Sequence, residues 1–314
     1  MSKKNLILGG VLVFLILVVY LYKGPYQNYQ KQVDVPDNFL SQLEVSAINK
    51  IEVITSEKTV VLNKEEKDEE TKWKIDGTKD FYVAQGEGES IIKTLEEASE
   101  GKIELISNNK DKKQEFETNE SGVELKLYQD ETLLSNFIVG KRGSDYTSTY
   151  LSQKDDTSTY SIKAGLANVF RKSEWRDANI LEFNKDSVNK IRFQQGDQEF
   201  IIEKENSDAT STDEKWIAVS SGEELDSEKV GSVLRVMSSL NALKIPEQKF
   251  DGTGLEKNLL IVQVYGDGFS ESITVGDADE TGELFYTKRG SSDNIYLISK
   301  GEKEAMDMQL SDLK

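Results

Sequence analysis

The chain has 314 residues, 37% hydrophobic and 31% charged, enough apolar side chain for about two domains of ordinary size and too much for disorder throughout. Its formal net charge of −18 repels phosphate backbones and anionic headgroups, which argues against nucleic acid as a partner. Cysteine and histidine are both absent, removing disulfides, thiol nucleophiles, Ser-His-Asp triads and every Cys/His metal or haem site.

Residues 6–22, LILGGVLVFLILVVYLY, form an uncharged run. As a helix the run is about 26 Å long, close to the roughly 30 Å of bilayer hydrocarbon. Lys3 and Lys4 precede it, so residues 1–23 are predicted to be a cytoplasmic tail and a single transmembrane anchor, with everything after Lys23 extracytoplasmic. Val18 to Tyr22 stand where signal cleavage would need small residues, which favours an anchor that is kept. Pro25, Pro36 and several Gln and Asn predict an extended stalk over residues 24–36.

From residue 37 onward one pattern occurs twice. Residues 48–66 (INKIEVITSEKTVVLNKEE), less the last, lie over residues 188–205 (VNKIRFQQGDQEFIIEKE) without a gap. Asp37, Leu40 and Leu43 fall opposite Asp177, Ile180 and Phe183, Trp73 opposite Trp216, and Val139-Gly140 opposite Val275-Gly276. Ile91, Leu95 and Ala98 match Val230, Leu234 and Met237, a spacing that marks one apolar helix face. Tyr150, Tyr160 and Ile162 match Tyr286, Tyr296 and Ile298. Val123, Leu125 and Leu127, like Leu260, Val262 and Val264, alternate with polar residues, as strands with one wet face do. Residues 163–177 and 300–312 are predicted to be closing helices. The expected fold is α+β: the anchor, then tandem modules 37–176 and 177–314. Each module is a hairpin, a tryptophan strand, one packed helix, a meander of about four strands and a closing helix on a mainly antiparallel sheet.

Three features could carry chemistry. Asp277 and Asp279 in GDADETGE, with Gly282 after them, space carboxylates as a calcium loop would. Thr281 and Lys288 occupy positions where further ligands are needed, so a solvated turn is the plainer reading. Gly86-Glu87-Gly88 before a helix is an incomplete phosphate cradle whose acids oppose an anion. Trp73 and Trp216 fit core anchors better than ligand platforms, since both lie among alternating strand residues.

The anchor, the K-I hairpin, the K-W strand, the helix ending in Ser239 to Leu243, the Gly254-Leu255 turn, the V-G strand end and Ile295-Tyr296-Leu297 together resemble domain-of-unknown-function family 4340 (DUF4340). The resemblance covers nearly all of residues 37–299 and is clearer in the second module. It implies a membrane-anchored extracytoplasmic protein associated with a gliding-type ABC transporter, hence a membrane permease as partner. Asn258 stands where a proline commonly follows the G-L turn, and the first module reads ETNESG there. The expectation is therefore a non-enzymatic accessory protein without cofactor or metal. Its partner-binding loop candidates are Phe250, Asp251, Gly254, Leu255 and Asn258, a loop expected to be mostly solvated. A membrane-tethered glycan hydrolase working through carboxylates and a calcium-dependent structural ectodomain are the alternatives.

Overall fold

The computed structural model describes residues 14–15, 19–20, 37–67, 70–205, 215–257 and 259–314. Of the predicted anchor, Phe14, Leu15, Val19 and Tyr20 are described and helical; its other residues, the stalk 24–36 and the polar loop 206–214 lie outside the described residues. Among the described residues no helix is long and apolar enough to cross a membrane, a statement that does not extend to strands.

The protein is mostly antiparallel β with a few helices, an α+β chain with two eight-stranded sheets. It divides into two compact units, Met1–Asp76 with Gln85–Glu174, and Gly77–Ala84 with Trp175–Lys314.

The first unit contains β1 (Lys50–Ile54), β2 (Thr59–Lys67), β3 (Glu70–Ile75), α1 (Gln85–Glu100), β4 (Ile103–Ser107), α2 (Lys113–Phe116), β5 (Val123–Gln129), β6 (Thr132–Arg142), β7 (Thr149–Gln153), β8 (Thr159–Ile162) and α3 (Leu166–Phe170). The sheet order is β3-β2-β1-β5-β6-β7-β8-β4. Period-two alternation sets it: Ile51 on β1 faces Leu62 on β2 and Leu127 on β5, and all three are buried. Ile91, Leu95 and Ala98 of α1 are buried as their spacing predicts. Each such apolar side chain contributes roughly 1.5–3 kcal/mol by leaving water, except the smaller alanine.

The second unit contains β9 (Asn179–Glu182), β10 (Val188–Gln195), β11 (Gln198–Lys204), β12 (Trp216–Ala218), β13 (Glu224–Leu225), α4 (Ser227–Met237), β14 (Ser239–Asn241), β15 (Leu260–Gly266), β16 (Phe269–Ala278), β17 (Leu284–Arg289), β18 (Tyr296–Ser299) and α5 (Lys300–Met306). Its large sheet runs β13-β12-β11-β10-β15-β16-β17-β18. Ile191 faces Ile202 and Val264, as Ile51 faces Leu62 and Leu127 in the first unit. Asp226 caps α4 by accepting from the Glu228 and Lys229 amides, and Ser299 with Glu302 forms a capping box on α5. Residues 77–84 follow the tryptophan strand of the first sheet yet pack in the second unit. There Phe81 meets Tyr296 edge-on at 5.6 Å and the Asn294 amide donates to the Asp80 carbonyl at 3.0 Å.

Several elements differ from the sequence expectation. The helix expected to end at Ser239 to Leu243 stops at Met237, and Ser239–Asn241 instead pairs with β9, a partner distant in the chain. The closing helices are short: α3 stops at Phe170, and after α5 a separate 3₁₀ turn, Leu310–Leu313, completes the chain.

Candidate functional site

The candidate loop, residues 250–257, joins β14 to β15 in the second unit and is held to the sheet by its middle. The Thr253 hydroxyl donates to the Phe250 carbonyl at 2.7 Å, while the Thr253 carbonyl accepts from the Asp277 amide at 2.7 Å. Gly252 and Gly254 adopt φ of 79° and 69°, the left-handed backbone that glycine tolerates. Lys257 pairs with Asp277 at 2.5 Å, and that carboxylate holds the Lys257 ammonium above its usual range.

As expected, most of the described loop is in solvent: Phe250, Asp251, Gly252, Glu256 and Lys257 are exposed, whereas its centre, Thr253, Gly254 and Leu255, is buried, and Asn258 lies outside the described residues. The reason is the Val275-Gly276 strand end. A Cβ on Gly276 would overlap the Thr253 carbonyl oxygen, and the β16–β17 register shifts between Val275 and Ala278 at this point. Two landmarks read separately from the sequence, Gly254-Leu255 and Val275-Gly276, are therefore one contact. Of the predicted loop residues, Gly254 and Leu255 form the seat, and Phe250 and Asp251 form the tip, with the Lys288 ammonium 5.7 Å from the Phe250 ring centroid.

The other sequence candidates resolve into local structure. Asp277 is engaged by Lys257, whereas Asp279 accepts from the Thr281 hydroxyl at 2.6 Å and the Leu284 amide at 3.3 Å, closing its own turn. The Thr281 hydroxyl holds the Asp279 carboxyl below its usual range. Among the described residues no three metal-ligating side chains gather. Gly88 is buried where a Cβ would stand 3.1 Å from Cδ1 of Trp73, so it makes room for the indole, and Glu87 pairs with Lys172. Trp73 and Trp216 are each 3% exposed, which places both indoles in cores.

The run that begins at the tryptophan strand and ends in the seated loop, short of Gly254-Leu255, is also the run that a family model matches. The family described as domain of unknown function (DUF4340) matches residues 73–253, from Trp73 on β3 to Thr253 in the loop. This chain belongs to DUF4340. No curated protein and no solved structure matches it.

The DUF4340 match includes the corresponding loop of the first unit, which at the sequence level lacks the G-L turn. The turn is nonetheless built there. Glu117 takes a φ of 55°, close to that of Gly254, and a Cβ on Gly140 would overlap the Phe116 carbonyl as one on Gly276 overlaps that of Thr253. An ordinary residue bears this backbone at about 1–2 kcal/mol. Arg171 grips the Glu117 carboxylate, and the Thr118 hydroxyl meets that of Thr159 at 2.8 Å.

Beneath this turn lies a lysine that nothing in the sequence singled out. Lys113 is 8% exposed, and its ammonium donates to the Ser152 hydroxyl at 2.8 Å and the Asp156 carbonyl at 2.6 Å, on the wall of a cavity of about 450 Å³. Burial pushes its pKa down from 10.5. Lys110, Asp111 and Lys112 precede it, so the segment looked solvated, and the approach of β7 and of the loop after it encloses the amine. Because the folded chain releases this proton at lower pH than the unfolded chain, Lys113 makes stability rise with pH from its lowered folded pKa up to 10.5. Lys113→Met is expected to lose that rise while staying within about 1.5 kcal/mol of wild type near neutral pH. Urea unfolding at neutral pH and at about pH 10 checks this; an unchanged pH slope in the variant would show that the amine is not desolvated.

Proposed function

We propose that this DUF4340 chain is a non-catalytic, single-pass membrane protein that captures a membrane protein partner through the tip of the loop 250–257. The observation that carries this reading is a loop fastened at its centre, through the Thr253, Gly254 and Gly276 contact, with Phe250 and Asp251 standing in solvent. A tip held in place loses little entropy when a partner orders it, and exposed aromatic residues are favoured anchors in interfaces. By family resemblance the partner is the permease of an ABC-type assembly. Residues 6–22 form the anchor, residues 1–5 are cytoplasmic and the units are extracytoplasmic, a reading supported by the uncharged run after Lys3 and Lys4. The two units are copies of one module. Supporting this are the parallel orders β3-β2-β1-β5-β6-β7-β8 and β12-β11-β10-β15-β16-β17-β18 and the left-handed residues at 117 and 254.

Phe250→Ala is expected to weaken capture of the permease about tenfold, a loss typical of an interface anchor, without changing the melting temperature. Pull-down of the permease from detergent-solubilised membranes, with full-length wild type and variant as baits, measures it. Undiminished capture would remove the loop tip from the interface. Protease added to spheroplasts tests the topology: it should leave a small membrane-bound fragment, and a soluble ectodomain released from untreated cells would refute the anchor.

A further inference from the structure

A different cleft opens on the first unit, beside the end of β6. Phe116, Lys141, Arg142, Gly143, Tyr146 and Tyr150 line about 630 Å³ of it, within the roughly 300–1,000 Å³ of small-ligand sites. Phe116 and Tyr150 pack ring to ring at 4.7 Å, and the Lys141 ammonium stands 6.0 Å from the Phe116 centroid. Tyr146 is 74% exposed at a φ of 61°, an uncommon backbone for a bulky residue.

That conformation is imposed by the turn around it. The Gly143 amide donates to the Ser148 carbonyl at 2.8 Å, and one Asp145 carboxylate oxygen accepts from the Thr147 amide at 3.1 Å, the Ser148 amide at 2.9 Å and the Ser148 hydroxyl at 2.7 Å. The ring is thus presented to solvent by a fixed scaffold. Lys141 and Arg142 make no ion pair among the described residues, whereas Lys257 in the second unit is paired with Asp277. Glu115 is the acid that lines the cleft. Two cations without an ion pair among the described residues, beside three aromatic rings in a chain of net charge −18, mark a place for an anion that also has an apolar face.

The shape of that anion follows from what the cleft withholds. β6 is paired on one side with β5 and on the other with β7, and the Gly143 amide is already used. An extended peptide, which binds by adding main-chain hydrogen bonds to a free strand edge, finds none here. A nucleic acid strand would need a long basic track, which two cations do not supply. Side chains alone must hold the ligand, by ring faces and charge. We propose that this cleft binds an acidic polysaccharide, with the C–H face of one sugar ring on Tyr146 and a carboxylate of the same chain on Arg142 and Lys141. The proposal is independent of the partner loop on the second unit.

The test is calorimetric titration of the full-length protein in neutral detergent with oligogalacturonate. Saturable binding is expected, weakened about tenfold by Arg142→Gln, which removes the charged fork, and by Tyr146→Asn, which removes the ring while suiting a left-handed backbone. Exposed Lys93→Gln should bind as wild type does, with circular dichroism melting verifying that all variants fold. A neutral cello-oligosaccharide, a glycerol-phosphate oligomer lacking sugar rings and an oligoglutamate peptide should each bind at least tenfold more weakly. Absence of saturable binding, equal binding of any of these three probes, or insensitivity to both Arg142→Gln and Tyr146→Asn overturns the proposal.

Discussion

Trp73→Ala is expected to cost the first unit about 3–5 kcal/mol, a large share of the roughly 5–15 kcal/mol that stabilises a typical domain. The indole is 3% exposed on β3, opposite Lys64 of β2, and its other face receives α1 at Gly88. Deleting it leaves a cavity under the longest helix among the described residues of the unit, and a sheet and helix held in hydrogen-bonded registers cannot collapse to fill it. Gly88→Ala probes the same contact from the helix side. Alone it gains helix propensity but drives a methyl toward Cδ1 of Trp73, whereas in a Trp73→Leu background the methyl enters vacated space, so the two changes should be markedly non-additive. Urea denaturation of the full-length protein followed by far-ultraviolet circular dichroism measures both. A loss below about 1 kcal/mol for Trp73→Ala would mean that the indole is a surface platform after all.

Gly276→Ala should cost about 3 kcal/mol and release the loop. Its methyl would meet the backbone of the loop: the Thr253 carbonyl oxygen overlaps it, and the Gly254 carbonyl carbon and Leu255 amide nitrogen lie 2.9 Å away. Backbone of a seated loop cannot swing aside as a flexible side chain does, so the seat itself must open. Gly268→Ala is the control. Gly268 has a φ of 81° and nothing within 4 Å of its Cβ position, so that substitution carries the conformational strain alone, about 1–2 kcal/mol. Hydrogen exchange at Thr253 to Lys257 should accelerate in Gly276→Ala and stay slow in Gly268→Ala, and capture of the proposed permease partner should fall only in the former. Equal stability losses in the two variants would contradict the glycine seat.

Much of each sheet was legible because its signals are local. Alternating Ile51 and Val53 or Val262 and Val264 record which face of a strand is dry, and Ile91, Leu95 and Ala98 record one side of a helix. The tryptophans too were recognisable as core residues from their strand neighbours. The candidate loop was legible as a turn, but its division into a buried seat and an exposed tip was not, because the residue beneath it, Gly276, arrives from another strand. Similarly, ETNESG shows no glycine turn, yet Glu117 adopts one under the grip of Arg171 and the press of Gly140.

The sequence by itself determined the alternation of strands and the helix faces, which depend on residues a few positions apart, and the repeated order of landmarks and the membership of DUF4340, which are read along the chain without knowing which residues meet in space. Tertiary structure alone decided that residues 77–84 pack in the second unit, that Lys113 is enclosed, that Gly254 sits on Gly276 and that Lys141 and Arg142 line one cleft with Tyr146. The physical reason is that periodicity specifies which face of an element is buried, whereas the partner waiting on that face is set by strand register and loop closure between residues far apart in the chain.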